Sequence, residues 1–158
     1  MKKPNRFSLE VEGTTLFCPK GQEVGKQFIA EGKIPVLSCE GGCIRGEIAR
    51  LAANIVAKEE PFRRSCHGEL LTVPDSAIAH WTKNSDKVVV IDGCFLHCHG
   101  RILKNIIDKD ALEVFDALSH YKKYSDLFDI DEVPEVERNQ VAQDVAAWVL
   151  AKVRKQGD

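Results

Sequence analysis

The residues in this 158-residue chain with the most chemistry in them are its six cysteines: Cys18, Cys39, Cys43, Cys66, Cys94 and Cys98. Five of them are patterned. Cys39 and Cys43 are separated by three residues, and so are Cys94 and Cys98. Cys66 stands between the pairs, 27 residues after Cys39 and 28 before Cys94. Thiolates bind soft cations, and zinc takes four nitrogen or sulfur ligands in a tetrahedron. Cys39, Cys66, Cys94 and Cys98 supply four candidates, with Cys43 as a fifth or a substitute. An iron–sulfur cluster is the alternative cofactor, since four or five thiolates suit it too. His67 follows Cys66, while His97 and His99 flank Cys98, and these imidazoles are candidates to support the ligands or to be ligands themselves. Asp92, two residues before Cys94, is a candidate to accept hydrogen bonds from the turn or to support a ligand. Cys18 stands outside the pattern.

The elements needed to position these thiols are legible in the hydrophobic pattern. Ile34 to Ser38 is a short apolar run suited to a buried strand, with proline near its start. Ile44, Ile48, Leu51, Ala52, Ile55 and Val56 then follow helical spacing, and Pro61 closes that helix. A second, weaker strand is expected over 62–65, and a short helix over 74–83 with Pro74 in its first turn. Val88 to Ile91 is the strongest strand signal in the chain. A helix with Ile102, Leu103, Ile106 and Ile107 on one face is expected next, then a strand over 113–120. Glu12-Gly13 suggests a small hairpin within 7–17, and 18–33 reads as loop plus short helix. The spacing of Val141, Val145, Trp148 and Val149 predicts a C-terminal helix over about 135–155, entered after Pro134.

Alternating strands and helices argue for an α/β fold: a small, Rossmann-like parallel sheet in flavodoxin-like order, with helices on both faces. The expected organisation is one metal-binding domain over 1–158. Its core spans about 34–121, preceded by an extension over 1–33. The cysteine intervals are close to one strand–helix unit each. Cys39, Cys66 and Cys94 should then share the carboxyl edge of the sheet, where open α/β folds hold their ligands. Cys43 and Cys98 would stand at helix starts, where the helix dipole and free N–H groups favour a thiolate.

Composition narrows the classes. Lys and Arg number 22 against 24 Asp and Glu, so the chain is no general polyanion binder. Its longest unbroken apolar run, 145–151, is far too short for a membrane span. No apolar stretch of a secretory signal follows the first lysines, and the chain reads as cytoplasmic. At that density in a reducing compartment, the cysteines are not a disulfide scaffold. A metal ion is the partner implied; no nucleic-acid or membrane partner is, and nothing indicates a protein partner or a homodimer.

The run Val88-Val89-Val90-Ile91-Asp92-Gly93-Cys94-Phe95-Leu96-His97-Cys98 resembles the signature of the Asp-Gly-Cys (DGC) domain family of zinc-binding proteins. Cys39 after a strand and Cys66 in mid-domain extend the resemblance over residues 34–121. It implies a four-cysteine zinc site in a Rossmann-like domain. The family's usual Ser-Gly after the first cysteine is replaced here by Glu40-Gly41-Gly42, followed by the extra thiol Cys43. The resemblance implies a site rather than a reaction.

Two rival chemistries share these residues. Cys39-x5-Arg45 on a strand–loop–helix resembles the phosphate loop of low-molecular-weight tyrosine phosphatases and arsenate reductases. Cys39 would be the nucleophile and Arg45 the oxyanion clamp. Gly46 stands where a hydroxyl residue often follows that arginine, and no Asp-Pro acid motif is present. Alternatively, Cys39–Cys43 or Cys94–Cys98 would cycle through a disulfide, although the usual redox spacing, Cys-x-x-Cys, is absent. Gly21 to Lys26 imitates a phosphate-binding loop with one residue too few between its glycines. Arg63-Arg64 and Lys122-Lys123 read as solvated pairs, and Trp81 and Trp148 as core.

Overall fold

The computed structural model describes residues 5–156. Residues 5–17 form no strand, and Phe7, Leu9 and Leu16 are exposed, so the expected hairpin does not form. Alternation there finds no partner strand to bury one face. Thr14 N–H donates to the Thr72 carbonyl and ties the segment down. Helix α1 (Pro19–Ala30) follows, with proline in its first turn and Cys18 as its N-cap.

Strand β1 (Ile34–Ser38) leads into α2 (Ile44–Val56), and β2 (Phe62–Arg64) into two helices, α3 (His67–Thr72) and α4 (Ala77–Asn84). Strand β3 (Val88–Asp92) precedes α5 (Cys98–Leu103), and β4 (Leu112–Asp116) precedes α6 (Ala117–Tyr121). Helix α7 (Glu135–Lys155) closes the described chain. Its ends suit the helix dipole, with Glu135 and Glu137 in the first turn and Lys152, Arg154 and Lys155 in the last.

The four strands pair in the order β2-β1-β3-β4, and every pair is parallel. This is the Rossmann-like α/β sheet that the strand–helix alternation predicted. Alternation along the strands makes two cores. Val36, Val89, Ile91 and Phe115 pack with α2 and α7, whose Ile48, Ala52, Ala142, Val145 and Val149 are fully buried. Leu37, Val88 and Val90 face the other way, onto Leu70 of α3 and Leu103 of α5, with Ile107 beyond α5. Helix α1 packs on α4, Phe28 against Trp81, where the Trp81 indole donates to the Lys33 carbonyl.

Several expectations shift in detail. The helix anticipated at Pro74 starts at Ala77, because the Ser76 hydroxyl accepts from Ala79 N–H and makes the cap. Helix α3, with the single buried residue Leu70, carries no periodicity from which to foresee it. The segment 113–120 divides: strand to Asp116, then a helix whose first turn is capped by the Asp116 carboxylate. Helix α5 stops at Leu103, with Ile106 and Ile107 in the turn that follows; Leu103 and Ile107 are buried while Ile102 is exposed. Among the described residues, no helix is long and apolar enough to cross a membrane.

Candidate functional site

A parallel sheet sends every strand's carboxyl end to the same edge, and five cysteines follow those ends. Cys39 comes directly after β1, Cys66 two residues after β2 and Cys94 two after β3. Cys43 is the N-cap of α2, Cys66 that of α3, and Cys98 the first residue of α5. Register puts the first and third units level: Ser38 pairs with Ile91, and Cys39 N–H donates to the Ile91 carbonyl at 2.9 Å. All six cysteines are free thiols. Among the described residues, no three His, Cys, Asp or Glu side chains converge on a point that could hold a metal ion. The fold thus gathers the candidate ligands along one edge without closing them into a cage.

The thiols differ in environment. Cys39 is half-buried and its Sγ accepts from Gly41 N–H at 3.3 Å. Burial pushes its thiol up, outweighing the N–H groups of Gly41 and Gly93, and Asp92 and Cys98 push the same way. Burial would raise Cys43 as well. There the Gly46 N–H and the Arg45 guanidinium prevail, and Cys43 falls below the ordinary thiol value. Arg45 also donates to the Ser125 carbonyl at 3.0 Å, so the arginine of the Cys39-x5-Arg45 loop serves Cys43 and the 122–129 loop. That loop is tied to the start of α2 by Ile44 N–H donating to the Phe128 carbonyl, 2.8 Å.

Asp92 is 1% exposed, and its carboxylate takes the N–H of His99 at 3.2 Å and of Gly100 at 2.9 Å. It therefore occupies the α5 N-terminus as a cap from a distance, fixing Cys98 in the first turn. His97 enters the turn with φ 47° and ψ 45°, a left-handed conformation uncommon for a residue with a Cβ. Its Nδ1 is buried without a hydrogen-bond partner, 3.9 Å from Asp92 Oδ2.

The other two imidazoles link α3 to α5. Their rings meet edge-on with centroids 4.5 Å apart. His99 Nε2 accepts from Glu40 N–H at 3.1 Å. His67 Nε2 lies 2.8 Å from the Ser38 carbonyl, and its Nδ1 is buried without a partner. Burial, and then neighbouring His99, holds His67 below the usual imidazole range, which favours the neutral ring at neutral pH.

Three features were not anticipated from sequence. Arg64, expected as a solvated residue, is half-buried and reaches over β1 to the Ser38 hydroxyl at 3.0 Å and the Glu40 carboxylate at 3.6 Å. Its adjacency to Ser65-Cys66, at the end of a strand too short for alternation, was the available signal. Cys18 caps α1 with its Sγ taking Gly21 N–H at 3.3 Å, a role its place before Pro19 allows. Tyr121, with its hydroxyl buried and unpartnered, sits near Arg45 and Cys43, and burial raises its phenol.

The DGC domain family matches residues 35–145, well over half of the chain. The chain belongs to the DGC domain family. The match begins in β1 and ends within α7, so it spans the whole sheet and all five edge cysteines. No curated protein and no solved structure matches the chain. Membership in the DGC family supports metal binding in a general way and assigns neither a metal nor a reaction.

Proposed function

We propose that this DGC domain protein binds a soft cation, zinc first, through thiolates at the carboxyl edge of its sheet. The candidate ligands are Cys39, Cys66, Cys94 and Cys98. The observation that carries the reading is the placement of these free thiols, with unpartnered ring nitrogens on His67 and His97, along one edge of one parallel sheet. Buried polar atoms almost always find a partner, so two lone imidazole nitrogens beside cysteines are what a missing ligand would leave. The donor chemistry suits zinc, which takes thiolate and imidazole and avoids oxygen-only sites.

The chain's own residues prepare the edge. Asp92 fixes the start of α5 and with it Cys98, and the β1–β3 register sets Cys39 level with Asp92. Zinc held by these thiolates would tie the strand ends together electrostatically, a role suited to structure, sensing or carriage rather than to hydrolysis. Arg45 is engaged by Cys43 and Ser125, which leaves the phosphatase-like reading without its clamp on Cys39.

Elemental analysis and visible absorption of anaerobically purified protein test the proposal. Zinc bound to the wild type and absent from Cys94→Ser is the expected result. The visible absorption of an iron–sulfur chromophore would replace zinc by a cluster. Metal-free protein that hydrolyses an aryl phosphate, and loses the activity in Cys39→Ser, would refute it.

A further inference from the structure

The strand order β2-β1-β3 places the β2 side two strand spacings from β3, roughly 10 Å. Cys66 must bridge that distance to share a cation with Cys94 and Cys98. It is exposed, as Cys98 also is, but its Sγ lies over the first turn of its own helix, 3.8 Å from where a Cβ on Gly68 would be. The neighbouring residue already reaches inward. His67 touches the Ser38 carbonyl on the middle strand, at the residue before Cys39, and meets His99 of α5.

The hydrogen bond to Ser38 settles the tautomer. A carbonyl oxygen only accepts, so His67 Nε2 carries the proton and Nδ1 presents a bare lone pair. That lone pair is buried and unpartnered. An imidazole that donates one N–H to a backbone carbonyl and turns its other nitrogen to an empty partner is oriented as metal-binding histidines are. The other two rings are not set in this way. His99 Nε2 already accepts from Glu40 N–H, and His97 Nδ1, though also without a hydrogen-bond partner, lies 3.9 Å from the Asp92 carboxylate on a ring that no carbonyl orients.

We propose that His67, rather than Cys66, is the ligand contributed from the β2 side, giving a mixed set of His67 Nδ1, Cys39, Cys94 and Cys98. This rests on the reading that the edge binds a cation at all. Cys66 is then an exposed thiol outside the set, and Ser38 is a positioning residue through its carbonyl.

The test uses the full, reduced chain kept anaerobic, as wild type, His67→Gln and Cys66→Ser. Gln retains a side-chain N–H for Ser38 while removing the ring. Each is loaded with cobalt(II) for its visible spectrum and titrated with zinc against a chromophoric chelator. The expected result is that Cys66→Ser keeps the wild-type cobalt bands and zinc affinity within about threefold. His67→Gln shifts the bands and weakens zinc by about tenfold or more. Circular dichroism of the metal-free proteins checks folding, and His67→Phe, which keeps a ring between Ser38 and His99, repeats the loss if Gln unfolds the chain. A band shift or affinity loss in Cys66→Ser, alone or together with His67→Gln, overturns the assignment in favour of an all-thiolate set. A wild type that takes up neither metal overturns the cation reading and this assignment with it, a failure visible before any variant is made.

Discussion

The turns 39–43 and 94–98 carry the same Cys-x3-Cys spacing, offset by 55 residues, and leave neighbouring parallel strands, the second turn two residues further along because Cys39 lies level with Asp92. They are built differently. At the position of Asp92 the first unit has Leu37, buried in the core, and at the position of His97 it has Gly42. The second turn is therefore held by a buried carboxylate that takes two N–H groups of α5. The first is held by backbone packing: a Cβ on Gly46 would overlap the Gly41 carbonyl, and one on Gly93 would come 2.8 Å from the Arg45 carbonyl. The second cysteine differs as well. Cys98 sits inside the first turn of a six-residue helix, whereas Cys43 caps a 13-residue helix and is held low by Gly46 N–H and Arg45. Equal spacing thus yields one scaffolded thiol pair and one activated thiol, and the residues between and around the cysteines decide which.

Making the second turn resemble the first should cost most. Asp92→Leu leaves two helix N–H groups buried without an acceptor, and a loss of about 3 kcal/mol in urea unfolding of the metal-free protein is expected. A loss below about 0.5 kcal/mol would mean that the carboxylate does not hold α5. Adding a methyl to the first turn should cost less: Gly46→Ala is expected to destabilise by about 2 kcal/mol through overlap with Gly41. The corresponding residue in the second turn is exposed Arg101, where Arg101→Ala should change stability by less than about 0.5 kcal/mol. Equal effects at the two positions would dissolve the contrast.

A smaller effect concerns reactivity. In metal-free protein near pH 7.5, iodoacetamide followed by peptide mass spectrometry should modify Cys43 several-fold faster than Cys39. The sign follows from the thiolate being the nucleophile: a lowered value fills the thiolate at lower pH, and a raised one delays it. Arg45→Met should slow Cys43. Cys39 reacting first would contradict the comparison.

Much of the architecture was legible because β1 and β3 are apolar on both faces and the helices α2 and α7 carry long stripes. Proline 134 and the run after it gave α7 its start, since a proline there admits a helix only behind it. The strand-end cysteines followed from the same reading, because equal steps in a parallel sheet return to one edge. What stayed hidden was decided by contacts distant in sequence. Arg64 is half-buried only because β2 lies against β1, and the His67 ring is oriented by the Ser38 carbonyl 29 residues earlier. The N-terminal alternation misled because period two implies a strand only where another strand is at hand to pair.

If the edge thiols hold a cation, the two turns should contribute unequally to it. Zinc stoichiometry of anaerobically purified wild type, Cys94→Ser and Cys43→Ser tests both parts at once. The account predicts about one zinc per chain in the wild type, none in Cys94→Ser and the full complement in Cys43→Ser. Metal-free wild type, or equal loss of zinc from both variants, would contradict it.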